Sequence, residues 1–174
     1  MQQAENTTDN DELSSDEAEQ YLTFMLGGKV YGLEILNIKE IIEYGEITEV
    51  PMTPDFISGV INLRGSVVPV IDLSQRFSGQ STEYTKRTSI IILEVKNDDL
   101  RIEIGVTVDM VNEVLDIHPK EVEPAPSLGN QIQTNFIRGM AKVDGKLLIL
   151  LDIENVLSVD ELSQVGSIQS TTKQ

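Results

Sequence analysis

The chain contains the same sequence pattern twice. Phe56-Ile57-Ser58-Gly59 recurs as Phe136-Ile137-Arg138-Gly139, and we call the step from position 59 to position 139 the downstream offset. Gly65 and Asp72 recur at the same offset, as Gly145 and Asp152. A shorter step, from position 32 to position 105, relates six earlier matches and is called the upstream offset: Gly32, Ile35, Ile38, Glu40, Ile41 and Ile42 match Gly105, Val108, Val111, Glu113, Val114 and Leu115. An internal repeat predicts two copies of one structural unit joined in a single chain.

The repeated unit has the pattern of a β structure. Runs rich in β-branched and aromatic residues, such as 21–26, 89–95 and 100–108, are separated by glycine and Asx turns, which is typical of a small barrel or a sandwich. Residues 33–43 have some helical spacing, but their β-branched content favours a short turn leading into a strand. Each copy of ~60–70 residues would be marginally stable alone. We therefore expect the two copies to share an apolar seam and fold together.

Several shorter segments carry local signals. Pro69 interrupts the apolar run 67–71, which predicts a strand at an edge or a bulge. Thr53-Pro54-Asp55 predicts the start of a short helix carrying Phe56 and Ile57. Residues 1–20 contain seven acidic residues and no Lys or Arg, which predicts a disordered acidic tail. From residue 152 the pattern favours a helix, followed by a polar tail.

Composition argues against several classes of function. The chain has no cysteine and a single histidine, His118, so disulfides, thiolate metal sites and most histidine-based catalysis are excluded. A formal net charge of −16 disfavours binding to nucleic acid and to anionic lipid surfaces. No apolar run approaches the ~18 residues of a membrane helix. We expect a non-enzymatic protein with no cofactor, no nucleic-acid partner and no direct membrane insertion.

The segment Asn62-Leu63-Arg64-Gly65 is the most distinctive in the chain. It lies between two apolar runs, so it predicts a turn in which Gly65 takes a positive φ and Asn62 bonds to its own backbone. Arg64 would then be held at the tip of a rigid scaffold. One interpretation is a solvated arginine paired with a neighbouring carboxylate. The other is a preorganised guanidinium offered to a carboxylate or carbonyl of a partner.

The chain resembles the CheW family of chemotaxis coupling proteins from about Tyr21 to Leu157. The resemblance is carried by Tyr31-Gly32-Leu33, Glu40-Ile41, Val50-Pro51, Pro54-x-Phe56-Ile57-x-Gly59, Asn62-Leu63-Arg64-Gly65 and Pro69-Val70-x-Asp72-Leu73. It implies an all-β fold of two pseudo-symmetric five-stranded SH3-like β-barrels packed together, with short helices and a C-terminal helix. The first module would span residues 21–85 and the second 86–157, with an exchange of strands between them left open, and residues 158–174 would form a polar tail.

The resemblance also implies a function and a set of contact residues. The family joins the cytoplasmic tips of methyl-accepting chemoreceptors to the regulatory domain of the histidine kinase CheA, so we expect a cytoplasmic adaptor recruited to membrane-associated receptor arrays. Carried over position by position, the receptor-binding residues are Ile38, Glu40, Asn62, Arg64, Val111 and Val114. For the three aliphatic residues, plain core packing is the competing interpretation. The glycines expected to form structural turns are Gly32, Gly59 and Gly65.

The chain also departs from the family pattern. Some members carry a basic residue and an aromatic residue that contact the neighbouring kinase domain, and here Glu123 and Leu128 occupy the corresponding kinase-binding positions. The length of 174 residues leaves no room for a receiver or ATP-binding domain, so the resemblance favours the stand-alone form. One alternative is a coupling protein of a non-flagellar receptor–kinase system. Two others, from different classes, are an oligonucleotide-binding small-barrel protein and a small-molecule-binding or enzymatic β protein, which would need a deep polar pocket.

Overall fold

The computed structural model describes residues 18–51, 53–97, 100–124 and 137–155, and most of them lie in strands. The strands are β1 (Glu19–Leu26), β2 (Lys29–Glu34), β3 (Ile38–Glu43), β4 (Ile57–Leu63), β5 (Ser66–Asp72), β6 (Ser89–Asn97), β7 (Leu100–Val108), β8 (Met110–Ile117), β9 (Val122–Glu123), β10 (Ile137–Val143) and β11 (Lys146–Leu151). One α-helix, α1 (Leu73–Ser78), and three 3-10 turns (Ile35–Asn37, Pro119–Glu121 and Ile153–Asn155) complete the described elements.

The strands form two sheets, each of which is one SH3-like barrel. Barrel I has the strand order β8-β1-β2-β11-β10-β9, and barrel II has the order β3-β6-β7-β5-β4. In each sheet the two outer strands follow one another in the chain, and in barrel I they are joined through the 3-10 turn Pro119–Glu121. The all-β, two-barrel prediction is confirmed. Barrel I has six strands and not five, because the two-residue strand β9 pairs with β10.

The pairing register confirms that the chain is a structural duplication. β5 runs parallel to β7 with Val70 opposite Gly105, and β11 runs parallel to β2 with Leu150 opposite Gly32. The downstream offset relates Val70 to Leu150, and the upstream offset relates Gly32 to Gly105. Each barrel takes strands from both halves of the repeat, since β1 and β2 share a sheet with β8–β11.

The capping aspartates repeat as well. The carboxylate of Asp72 accepts hydrogen bonds from the backbone N–H groups of Ser74 (3.0 Å) and Gln75 (3.3 Å) at the start of α1. Its counterpart Asp152 accepts one from the N–H of Glu154 at 3.2 Å and begins the 3-10 turn Ile153–Asn155. A side-chain acceptor at this position satisfies backbone donors that the helix leaves unpaired. The predicted C-terminal helix beyond this turn lies outside the described residues.

The largest apolar cluster lies between the two barrels and forms the seam. It contains equivalent residues from both copies. The two offsets relate Leu33 to Val106, Ile71 to Leu151 and Leu73 to Ile153. Phe24 and Leu93 are equivalent because they pair with Tyr31 and Ile104, which the upstream offset relates. On β6, Ile91 and Leu93 belong to the seam while Ile90 and Ile92 enter the core of barrel II, as strand alternation requires. Because each copy buries the same face against the other, the contact is isologous and the barrels are related by a pseudo-twofold.

One local expectation is wrong, and a second is met only in part. Ile57 begins β4, and its N–H donates to the carbonyl of Pro54 at 3.0 Å, so residues 53–57 form a turn leading into a strand and no helix. Pro69 lies in β5, which has neighbours on both sides. It is therefore no edge strand, but the expected irregularity is present, because the pairing of β5 with β4 shifts register opposite Val70 and Ile71. Parallel pairing between β5 and β7 begins only at Val70, so the missing N–H of Pro69 precedes this ladder.

One buried and two half-buried tyrosines should make the fold sensitive to alkali. Burial raises the pKa of Tyr21, Tyr31 and Tyr44 above the ordinary value of 10.0, because it disfavours the charged phenolate. Above pH 10 the unfolded chain releases protons that the folded chain retains. The free energy of unfolding should therefore keep its full value below pH 10 and decrease as the pH rises above it. Urea unfolding at a series of alkaline pH values, followed with tyrosinate absorbance, measures this. Ionisation of these three tyrosines near pH 10 in the folded protein would contradict it.

Candidate protein-interaction surface

The turn between β4 and β5 places Arg64 at the tip of a rigid hairpin. Arg64 and Gly65 both have a positive φ, of 54° and 87°, between the paired residues Leu63 and Ser66. Two consecutive positive φ angles are the geometry that matches the twist of a two-residue hairpin. The N–H of Gly65 donates to Oδ1 of Asn62 at 3.0 Å. Asn62 therefore orders the turn and fixes the direction in which Arg64 leaves the backbone.

Arg64 makes a two-bond ion pair with Glu40 of β3. Nη2 donates to Oε1 of Glu40 at 2.9 Å, and Nη1 donates to Oε2. The hydrogen bond to Arg64 lowers the pKa of Glu40, and the same bond raises the pKa of Arg64. The Arg64 side chain is nevertheless 73% exposed. A guanidinium has five N–H donors, so the pair holds the group in place while further donors face the exterior.

Glu40 also lies beside a second ion pair on the same sheet. Lys39 donates to the carboxylate of Glu103 on β7, and this hydrogen bond raises the pKa of Lys39. On β6 and β7, Arg101 lies 3.6 Å from Glu94. Barrel II therefore carries a strip of alternating charges across β3, β6 and β7, and Arg64 has the most exposed of the side chains in these ion pairs.

The three aliphatic candidates occupy two kinds of environment. Ile38 and Val111 are half-buried and pack against the seam, whereas Val114 is 48% exposed. Ile38 and Val111 are equivalent positions in the two copies, so they flank the line where the barrels meet. Core packing explains part of the burial of Ile38 and Val111, but it does not explain the exposure of Val114.

On β3 and the turn before it, the structure exposes two aliphatic residues that the sequence analysis did not propose as contact residues. Ile41 is 43% exposed, and its match with Val114 at the upstream offset is the signal that could have marked it as a candidate. Leu36 is 88% exposed in the 3-10 turn between β2 and β3. No sequence signal separates Leu36 from its half-buried neighbour Ile35, because a 3-10 turn has no regular apolar pattern of its own. We call Ile38, Glu40, Ile41, Asn62, Arg64, Val111 and Val114 the seam surface.

The predicted kinase-binding positions are less fully described. Glu123 is exposed at the end of β9, where it pairs with Met140 of β10. Leu128 lies outside the described residues. The structure therefore shows a carboxylate at the rim of barrel I and gives no further geometry for this contact.

Two of the three glycines expected at turns lie within strands. Gly32 is in β2, where an added Cβ would come within 3.1 Å of a methyl group of Leu150. Gly59 is in β4 at a register shift, where Thr48 bridges to Val60 from outside the named strands. The turn prediction for Gly32 and Gly59 is wrong, since both positions serve close approach between neighbouring segments. Gly65 lies in the hairpin turn.

Gly59→Ala should destabilise the fold more than Gly65→Ala. At position 59 a Cβ would lie 2.2 Å from the carbonyl oxygen of Thr48, with a φ of +153°, whereas at position 65 nothing lies within 4 Å. We expect Gly59→Ala to lower the free energy of unfolding by about 2–4 kcal/mol, since strain and a backbone clash combine. Gly65→Ala should lower the free energy of unfolding by about 1–2 kcal/mol, because alanine meets only the cost of the left-handed conformation there and no clash. Urea denaturation of both variants measures the difference, and equal losses would contradict it.

Within the described ranges, the exposed side chains brought together beside the seam are ion pairs and aliphatic groups. No group of three or more His, Asp or Glu residues there is placed to hold a metal ion, and none of the helices there is long and apolar enough to cross a membrane. An open cleft of about 180 Å³ lies on barrel I, lined by Thr23, Val30, Asn112, Glu113, Leu115, Val143, Asp144, Lys146, Leu147 and Leu148.

Together these features define a class: a double SH3-like barrel that displays ionic and apolar side chains on its exterior, beside the line where the barrels meet. Comparison with known proteins gives the family. Residues 20–161 match the CheW-like domain, and the chain belongs to this family.

Relatives in several bacteria support the assignment. The chain is 38% identical over 150 residues to the chemotaxis protein CheW of Klebsiella aerogenes, covering 86% of this chain and 88% of the relative. It is 39% identical over 140 residues to CheW of Bacillus subtilis, covering 80% and 86%. The crystal structure of the scaffolding protein TtCheW from Thermoanaerobacter tengcongensis superimposes with a TM-score of 0.74 at 33% identity, covering 92% of this chain and 96% of that one.

Proposed function

We propose that this protein is a chemotaxis adaptor that couples the cytoplasmic tip of a chemoreceptor to the histidine kinase CheA. The observation that carries the proposal is the ion pair of Arg64 with Glu40, held on a rigid turn, largely exposed, and next to half-buried apolar residues of the seam. The names of the relatives, chemotaxis protein and scaffolding protein, support the same role. Such a protein acts by binding its partners through its surface.

The seam surface suits a helical hairpin as partner. A helix with an apolar stripe would place that stripe on Ile38, Val111 and Val114. Arg64 would stand at the rim and donate to a carboxylate of the hairpin, where a charge-assisted pair fixes register more than it adds affinity. Glu40 is the positioning residue in this arrangement, because it holds the guanidinium before the partner arrives.

The kinase would contact a different part of the molecule. Some family members place this contact at the positions of Glu123 and Leu128, and here Glu123 presents an exposed carboxylate. We infer that a basic group on the kinase regulatory domain complements it. Two small and separate contacts, each of micromolar affinity, are enough for an adaptor when many copies assemble in an array.

The proposal also gives the location and the ligands of the protein. It would work in the cytoplasm, recruited to membrane-associated receptor arrays through its partners. It would need no cofactor, and its formal net charge of −16 would keep it from nucleic acid.

Binary binding measurements test the proposal. A soluble receptor-tip fragment and the isolated CheA regulatory domain are titrated separately into the full chain by calorimetry. We expect saturable binding to both at micromolar concentrations, and binding of one that does not compete with the other. No binding to either partner at concentrations well above that range would overturn the proposal.

A further inference from the structure

The polar residues of the seam surface, Glu40, Asn62 and Arg64, have counterparts at equivalent positions on barrel I. The counterparts are Glu113 for Glu40, Lys142 for Asn62, and Asp144 for Arg64. The backbone conformations match: φ is 54° at Arg64 and 52° at Asp144, and it is 87° and 78° at the glycines that follow. Side chains at positions 64 and 144 therefore leave equivalent turns in equivalent directions, and they differ in charge.

The aliphatic residues of the seam surface are equivalent in pairs between the two barrels. The pseudo-twofold that relates the barrels exchanges Ile38 with Val111, which both pack on the seam, and Ile41 with Val114, which are 43% and 48% exposed. A helical partner lying across the seam would meet nearly the same apolar pattern in either of two opposite directions. Apolar contacts alone therefore leave its direction undecided.

The charges of the two turns differ where a partner carboxylate would have to sit. On barrel II, Arg64 offers donors beyond those bound to Glu40. On barrel I, Glu113 and Asp144 line one open cleft, and Lys146 is the cation among its lining residues. A partner carboxylate that gains an ion pair at the first turn would meet like charge at the second, which is disfavoured.

We propose that Asp144, together with Glu113, is a specificity determinant that confines the partner to one of two pseudo-equivalent directions across the seam. The inference rests on the proposed function, in which an acidic helical hairpin docks at Arg64. Arg64 attracts the hairpin in one direction, and Asp144 repels it in the other. A duplicated protein thereby presents a single, directional docking site.

A charge swap between the two turns tests the inference. The probe is a receptor-tip fragment with one engineered cysteine at its acidic end. Because the chain has no cysteine of its own, Ser66→Cys or Lys146→Cys, at equivalent positions beside the two turns, reports direction through cross-linking. Arg64→Asp should weaken binding about tenfold or more. Arg64→Asp with Asp144→Arg should restore most of that loss and move the cross-link from position 66 to position 146.

The outcomes separate the two proposals. Failure of the unswapped chain to bind the fragment would overturn the proposed function. The inference alone would be overturned if Arg64→Asp removes binding and the swap does not restore it. It would also be overturned if the swap restores binding but the cross-link stays at position 66. Asp144→Asn keeps a residue tolerant of positive φ and removes only the charge. With this variant we expect a detectable second cross-link at position 146. If no cross-link forms there, the result counts against the role of Asp144, whether or not the swap variant folds.

Discussion

Arg64→Ala should leave the chain folded and weaken its binding to a receptor-tip fragment about tenfold or more. The side chain is largely exposed and its ion pair lies at the surface, so its loss should shift the thermal midpoint by no more than about 2 °C. Under a bound partner the same charge loses water and becomes part of a charge-assisted pair, which is worth far more than a solvated one.

Arg101→Ala is the matched control for this prediction. Arg101 is also exposed and faces Glu94 at 3.6 Å, but it lies outside the seam surface, so its loss should leave affinity unchanged. Calorimetric titration of both variants at two salt concentrations measures the effect, and the contribution of Arg64 should shrink at the higher one. A folded Arg64→Ala variant that binds as tightly as the unsubstituted chain would contradict the role of this residue. An unfolded variant would show that Arg64 is structural.

Phe24→Ala should destabilise both barrels at once. Phe24 is fully buried in the seam, where it stacks on Tyr31 with ring centroids 5.9 Å apart. Replacing a buried phenylalanine with alanine typically lowers the free energy of unfolding by about 3–5 kcal/mol. Since the seam is built from both copies, the loss should be felt by the whole chain and unfolding should stay a single transition.

Urea denaturation followed by circular dichroism, together with hydrogen exchange of β6 amides, measures this effect. Phe24 lies in barrel I and β6 in barrel II, so lowered protection in β6 reports coupling through the seam. Leu36→Ala is the control, because a side chain that is 88% exposed should contribute within about 0.5 kcal/mol. Two separate transitions, or protection of β6 that is unaffected by the loss of Phe24, would show that the barrels fold independently.

Much of the fold could be predicted because several residues that recur between the two copies have roles in the backbone conformation. Gly65 and Gly145 both take a positive φ, and Asp72 and Asp152 both cap the element that follows a central strand. Such positions tolerate few residue types, so they match between copies even where the apolar residues drift. The two offsets carry over into the structure, where they relate the parallel pair Val70–Gly105 to the parallel pair Leu150–Gly32.

Other features depended on tertiary contacts that no local pattern encodes. The lack of an N–H in Pro69 predicted an edge or a bulge and could not decide between them. In the structure the strand is interior, with a register shift opposite the next residue, and the ladder to β7 begins only there. Gly59 reads as a turn residue, whereas it makes room for the carbonyl of Thr48 from a preceding segment of the chain. The strand pattern of residues 21–34 does not show that β1 and β2 join the C-terminal strands.

The candidate site divides in the same way. The turn Asn62–Gly65 predicted an ordered and exposed arginine, and the structure supplies the partner, Glu40, that the sequence could not name. Ile38 and Val114 are both aliphatic strand residues, yet one packs on the seam and the other faces outward. Register shifts in β3 and in the pairing of β1 with β8 break the alternation that would have separated them.

Bridging is the property that an adaptor must have, and one reconstitution measures it directly. A receptor-tip fragment and the CheA regulatory domain are mixed with and without the chain and analysed by sedimentation velocity. We expect a complex containing all three proteins that forms only when the chain is present and is diminished by Arg64→Ala. The adaptor role would be contradicted if the receptor fragment and the kinase domain, both folded, never form one complex in the presence of the chain.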